Sequence, residues 1–337
     1  MLPSRSSAHH SFVKRLSLLG AAAFALALAG SAAALVTPGR TLTAPAPVTA
    51  LSVTNRVVVY AVGRTRTNCG SVVLWDTPRL GHWTFGSRTI RGCEEGPSGG
   101  FGIPSVAVTG DRAFWLTRIG GNITDWQLWS ATPSRRVARR LAFASADTDG
   151  PPAIVLGPGS IDGVPYGIGQ TVTFVSSTGA RVFRATVDAP VQILTSAVGR
   201  GDARVVAALD DGRVVLLSRT GVVLRTDDYG PAQVRAIALG VVGPLVQVGS
   251  TVTIGTPAAG KKVTLPPGAL MLDYRQGSIV YRKGTQVRAR KVSTGGDTLL
   301  RVIAVKPWQT MPFSTDPGGT GWADGRRVSY RSGALGQ

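Results

Sequence analysis

Few side chains in this sequence of 337 residues can perform covalent chemistry. Histidine occurs only at His9, His10 and His82, and the first two fall in an N-terminal stretch that reads as removable. A His-rich zinc site therefore cannot be assembled from what remains. A Ser-His-Asp or Cys-His arrangement would have to use His82, which sits in Gly81-His82-Trp83 and reads as a surface or turn residue. Glutamate occurs only at Glu94 and Glu95, so a pair of catalytic carboxylates would be drawn from aspartates. Asp111, Asp211, Asp273 and Asp324 lie beside hairpin signals, where a turn role is the default. No catalytic residue is assigned. No metal ligand set and no cofactor are expected, and no G-x-x-x-x-G-K-[ST] motif supports nucleotide binding.

Two further segments invite a chemical reading. Ser314-Thr-Asp316-Pro-Gly318-Gly-Thr320-Gly-Trp322 resembles the Asp-box of sialidase-like folds with one extra glycine, and that box is structural where it occurs. Asp147-Thr-Asp149-Gly150 suggests a calcium loop but lacks the third acidic position and the closing glutamate, so a plain turn is expected. Among the aromatics, Trp75, Trp115, Trp126 and Trp129 read as core. Trp308 and Trp322, with Arg326 and Arg327 nearby, are the candidate ligand-binding residues, because aromatics beside arginines can hold sugars or anionic groups.

The elements that must position these residues are short strands. Val, Thr, Gly and Pro are plentiful and good helix formers for exposed faces are scarce, so an all-β chain is expected after residue 35. Ala50–Val53, Arg56–Tyr60, Ser71–Trp75 and His82–Phe85 make one four-stranded meander. Ser105–Val108, Ala113–Leu116, Trp126–Trp129 and Arg136–Phe143 make the next, with Trp75 and Trp129 at matching offsets. Further units follow at Ala153–Ala185, Val205–Leu224, Leu245–Leu265 and Ser278–Arg301, punctuated by turns such as Asp211-Gly212 and Gly249-Ser250. Gly321–Ala323 and Arg327–Tyr330 begin a last unit, which Arg40–Thr43 could complete.

A repeat of about 40 residues is the spacing of propeller blades. The chain resembles exported bacterial β-propellers with WD40-like or TolB-like blades, over most of residues 40–332, although Leu74-Trp75-Asp76 is the only Trp-Asp match. The resemblance implies a fold and no functional residue. Seven blades are expected, with six as the alternative and paired β-sandwiches as the competing architecture. The expected organisation is a signal peptide at 1–34, a segment at 35–49 that closes the ring, the propeller at 50–332 and a tail at 333–337.

The signal peptide reading rests on Arg5, Lys14 and Arg15, an apolar run from Leu16 to Ala29, and Ser31-Ala32-Ala33-Ala34 as the exit. The run is shorter than a membrane span needs. Export by the general secretory route to the outside of the cell or to its envelope is expected. Its removal takes away three basic residues and no acid, lowering the net charge from +19 to +16. Such a charge favours anionic partners. The arginines are nevertheless scattered, and the one cluster, Arg135-Arg136 with Arg139-Arg140, reads as a solvated face; nucleic acid is not the expected partner. Cys69 and Cys93 are expected to form a disulfide in an oxidising compartment, contributing about 3 kcal/mol by loop closure. The expected function is that of a monomeric, non-catalytic module that binds a protein or an anionic envelope polymer. It would present the loops of one ring face or the mouth of the central channel, and the long loops at Gly63–Gly70 and Ile119–Asp125 are candidate contacts. The alternative is a glycan hydrolase or lyase using aspartates of the channel, which needs two carboxyl groups about 5–10 Å apart.

Overall fold

The computed structural model describes residues 39–65, 69–86, 101–196, 203–231, 233–240, 243–305, 310–333 and 335. The expected signal peptide, Cys93 and Trp308 lie outside the described residues, as do residues 66–68 of the Gly63–Gly70 loop. Within them the chain forms strands and turns and no helix. No helix there is long and apolar enough to cross a membrane.

The strands fall into seven antiparallel sheets of four. β1 (Arg40–Thr43) stands apart from its sequence neighbours. Blade 1 contains β2 (Val48–Thr54), β3 (Val57–Val62), β4 (Ser71–Asp76) and β5 (Gly81–Phe85). Blade 2 contains β6 (Phe101–Thr109), β7 (Arg112–Ile119), β8 (Ile123–Thr132) and β9 (Arg135–Asp147). Blade 3 contains β10 (Ile154–Leu156), β11 (Gly163–Ile168), β12 (Thr171–Ser176) and β13 (Arg181–Thr186). Blade 4 contains β14 (Val191–Ser196), β15 (Ala203–Leu209), β16 (Arg213–Ser218) and β17 (Val223–Asp228). Blade 5 contains β18 (Val234–Gly240), β19 (Gly243–Val248), β20 (Thr251–Ile254) and β21 (Lys261–Thr264). Blade 6 contains β22 (Leu270–Arg275), β23 (Ser278–Lys283), β24 (Gln286–Lys291) and β25 (Asp297–Val302). β26 (Phe313–Asp316), β27 (Gly319–Asp324) and β28 (Arg327–Ser332) are three strands of blade 7, whose fourth is β1.

The first strand of every blade is innermost, and each inner strand touches the inner strands of both neighbouring blades, β26 returning to β2. The sheets therefore form a closed ring, and the seven-blade expectation holds over six. Closure has an outer and an inner part. Outside, β1 pairs with β28, with Leu42 opposite Val328 and Thr43 opposite Arg327. This removes the edge that β28 would otherwise present. Inside, the N–H of Val53 on β2 donates to Ser314 Oγ on β26 at 3.1 Å.

The core lies between blades rather than within one sheet. Tyr60 and Trp75 of blade 1 pack with Val328 and Tyr330 of blade 7. Phe85 stacks on Trp115 across the boundary of blades 1 and 2 at 6.3 Å between centroids. Burial of each such side chain stabilises by about 1.5–3 kcal/mol. Polar groups also bridge blades. Gln247 on β19 is fully buried. Its amide donates to Gly249 O and Ala269 O, each at 2.9 Å, and accepts from the Met271 N–H at 2.7 Å. One glutamine thus joins blade 5 to the first strand of blade 6.

Two expectations need correction. The segment Ile119–Asp125 is not a long loop, because β7 runs to Ile119 and β8 resumes at Ile123, leaving a three-residue hairpin tip. The units expected at Val205, Leu245 and Ser278 each begin one strand too late, since β14, β18 and β22 precede them.

Candidate functional site

The turns that follow the inner strands gather at one end of the ring. There they surround a cavity of about 630 Å³. Its polar uncharged wall includes Thr54, Ser160, Ser196 and Gln276, its apolar wall Leu239 and Tyr274, and its charged groups Arg275 and Asp316. Leu335, from the segment after β28, also lines it.

One side of this mouth is built by the connection from β10 to β11. Thr109 Oγ1 of blade 2 donates to Ile161 O at 3.2 Å, and Thr54 Oγ1 of blade 1 donates to Gly159 O at 3.3 Å. The connection therefore crosses the end of blade 2 to reach blade 1. Glycine is required at 159, because a Cβ there would overlap the Val108 carbonyl.

Asp316 shapes the opposite side. Its Oδ1 accepts from the N–H groups of Gly318 (2.9 Å) and Gly319 (2.8 Å), folding the β26–β27 turn. Its Oδ2 accepts from the N–H of Asn55 in blade 1. Burial raises the Asp316 carboxyl above the usual carboxylate range, against the downward pull of those three donors. The turn receiving this bond is tight: Asn55 and Arg56 both have positive φ, 46° and 68°. Two such residues make a hairpin turn that ordinarily favours Asn-Gly, so Arg56 occupies a position glycine would fill more easily.

Arg275 is also committed. Its Nε donates to Asp273 Oδ2 at 2.9 Å, and its NH2 donates to Thr315 O at 3.2 Å. Thr315 Oγ1 donates to the same Asp273 oxygen, while the Tyr274 N–H donates to Oδ1 at 2.7 Å. Blade 6 is thereby tied to blade 7. Asp316 lines the mouth, and Asp273 lies behind it, bonded to Arg275 and Thr315. Both carboxylates are held by backbone N–H groups, an arginine or a threonine that also hold the ring together. The Asp-box-like segment is structural here: the Ser314 and Asp316 side chains fasten blade 7 to blade 1 on the inside of the ring, as Arg40 does on the outside through Thr77 O.

Trp322, Arg326 and Arg327, nominated from sequence, do not line this cavity. Trp322 is half-buried on β27, with the Arg301 guanidinium 4.2 Å from its ring centroid. Arg326 is exposed on the β27–β28 turn, and its Nε donates to Ala44 O at 2.8 Å, an additional outer closure contact. Arg327 is exposed at the start of β28. Trp308 is outside the described residues. His82 is exposed on β5, the outermost strand of blade 1. Asp147–Gly150 is a turn, with the Gly150 N–H donating to Asp147 O at 3.0 Å. Among the described residues no group of three or more His, Cys, Asp or Glu could hold a metal ion. The sequence points to the channel mouth as a candidate surface but not to its residues, because they come from six separate turns. Only the Asp-box resemblance pointed to any of them.

Ring and mouth together define a seven-bladed β-propeller. No family model matches the chain, and no curated protein matches it. Among solved structures, a chain of the mitotic checkpoint complex is similar with a TM-score of 0.54 and 14% identity, over 88% of this chain and 95% of that one. Sqt1 of Saccharomyces cerevisiae has a TM-score of 0.46 and 11% identity, over 87% of this chain and 98% of its own. At 14% identity the first likeness is one of fold.

Proposed function

We propose that the chain is an exported, non-catalytic binding module that receives a segment of a protein partner at the channel mouth. The observation that carries this reading is the combination of a sizeable, largely uncharged cavity with fully committed charges. The mouth offers about 630 Å³ of concave surface. Its Arg275 and Asp316 already satisfy partners within the ring. Such a wall selects by shape and by hydrogen bonds from threonine, serine and glutamine rather than by proton transfer. Rigid blades holding short turns also lower the entropic cost of recognition.

The proposal includes export through residues 1–34, with the propeller acting outside the cytoplasm as a monomer. It includes a disulfide between Cys69 and Cys93. Cys69 is buried beside Gly70, at the start of β4, and among the described residues no cysteine is free. The bond would tie the β3–β4 connection to the segment between blades 1 and 2. Trp308, Trp322, Arg326 and Arg327 remain proposed as a secondary contact on the closing blade.

Site-specific photocrosslinking tests the principal claim. A photoreactive residue at Gln276, which is exposed at the mouth, should capture one discrete protein partner in intact cells. The same residue at Lys262, exposed on the outermost strand of blade 5, should not. Equal capture at both positions, or none at Gln276, would overturn the reading.

A further inference from the structure

A second concave site lies between blades 2 and 3, on the outside of the ring. A groove of about 250 Å³ runs between β9 and strands β11 to β13. Ala142, Tyr166, Thr171, Thr173, Arg181 and Arg184 contribute to its lining, and no carboxylate does. Arg181 and Arg184 are exposed on β13, and neither guanidinium has a hydrogen-bond or ion-pair partner among the described residues. Many other arginines of this chain are paired, for example Arg204 with Asp162, Arg213 with Asp188 and Asp211, and Arg275 with Asp273.

The positive charge continues along the seam. Arg112 of β7 reaches across to blade 3, where Nε donates to Ser177 O at 3.0 Å and NH2 to Thr178 O at 2.9 Å. These acceptors are in the turn that leads to Arg181. Burial lowers the affinity of the Arg112 guanidinium for its proton, and Arg135 and Arg139 push in the same direction, while Asp111 opposes them. Arg112 also donates to Ser130 Oγ at 3.4 Å, and in the blade 2 register Arg139 lies opposite Ser130 and Arg135 opposite Thr132, so the three arginines share one end of blade 2. Arg135, Arg136, Arg139 and Arg140, the cluster expected as a solvated face, are all exposed, and they lie on the same strand as Ala142 of the groove.

We infer that this seam binds an acidic glycan. One anionic group of a sugar sits between Arg181 and Arg184, its hydroxyls meet Thr171, Thr173 and Tyr166, and the chain continues over Arg135 and Arg139. The groove has the volume of a single sugar ring rather than of a drug-sized ligand. Planar guanidinium groups suit carboxylate and phosphate alike. A glycan is favoured over nucleic acid because successive bases need aromatic platforms, and the exposed Phe143 nearby already carries the Arg140 guanidinium at 5.6 Å from its centroid. The seam shares no residue with the channel mouth, so it stands or falls apart from the mouth reading.

The test is fluorescence anisotropy of the purified protein against labelled oligogalacturonate, poly(glycerol phosphate), neutral dextran and a thymidine homopolymer. The first two probes separate carboxylate from phosphate as the anionic group. At least one should bind, with an affinity that falls as salt rises. Arg181→Gln with Arg184→Gln should weaken that binding about tenfold, the scale of two lost charge-assisted contacts. Arg219→Gln with Lys262→Gln, which removes the same charge from exposed positions elsewhere, should change it by less than about twofold. Equal losses in the two charge-removing pairs, tighter binding of the thymidine homopolymer, or no binding of either acidic probe would each overturn the inference. Thermal melts of all variants check that the fold is retained.

Discussion

Single side chains hold this ring closed, and Asp316 is the clearest case. Replacement by alanine leaves the N–H groups of Asn55, Gly318 and Gly319 without their acceptor. We expect Asp316→Ala to destabilise by about 3 kcal/mol and Asp316→Asn, which keeps one acceptor oxygen, by about 1 kcal/mol. Chemical denaturation measures both, and a neutral Asp316→Ala would show that closure does not depend on this carboxylate. The sequence made the segment visible through its Asp-box resemblance, and its structural role was legible there. The partners were not legible, because Val53 and Asn55 lie at the other end of the chain and contribute only backbone N–H groups, which carry no residue-type signal.

At the level of strands, the outer three of each blade could be read from alternation, Gly-centred turns and repeat spacing. Arg40–Thr43 was legible as the closing strand because the last unit lacked one. The inner strands β14, β18, β22 and β26 were harder to read for a physical reason. They touch neighbouring blades on both sides and carry polar bridges, such as Asp273 and Arg275 on β22 or Ser314 and Asp316 on β26, which break the apolar alternation. The reading also predicts what happens when an outer strand is lost. Deletion through Thr43 should expose the β28 edge, lower the melting temperature and cause concentration-dependent self-association. Light scattering would reveal the association, and a monomeric truncation with an unchanged melt would contradict the closure described here.

Over the whole molecule, burial between blades leaves a titration signature. Four of the six tyrosines, Tyr60, Tyr229, Tyr281 and Tyr330, have phenol pKa values pushed up to about 12, first by burial and, for the last three, also by a nearby aspartate. A phenol raised in the folded state contributes stability that is fully present below its unfolded value of about 10 and is lost as pH rises through about 12. Ultraviolet titration should therefore show these four ionising late, together with alkaline unfolding. Ionisation of all six near pH 10 with the fold intact would contradict the packing. The central claim, however, is that Asp273 and Asp316 fasten neighbouring blades, which leaves the proposed role a binding one. Its most direct measurement is turnover of a glycan panel by the wild-type protein, Asp273→Asn and Asp316→Asn, alongside their melting temperatures. The account predicts no turnover by the wild-type protein and lowered melts for both variants. Turnover by the wild type that either substitution abolishes while leaving the melt unchanged would contradict it.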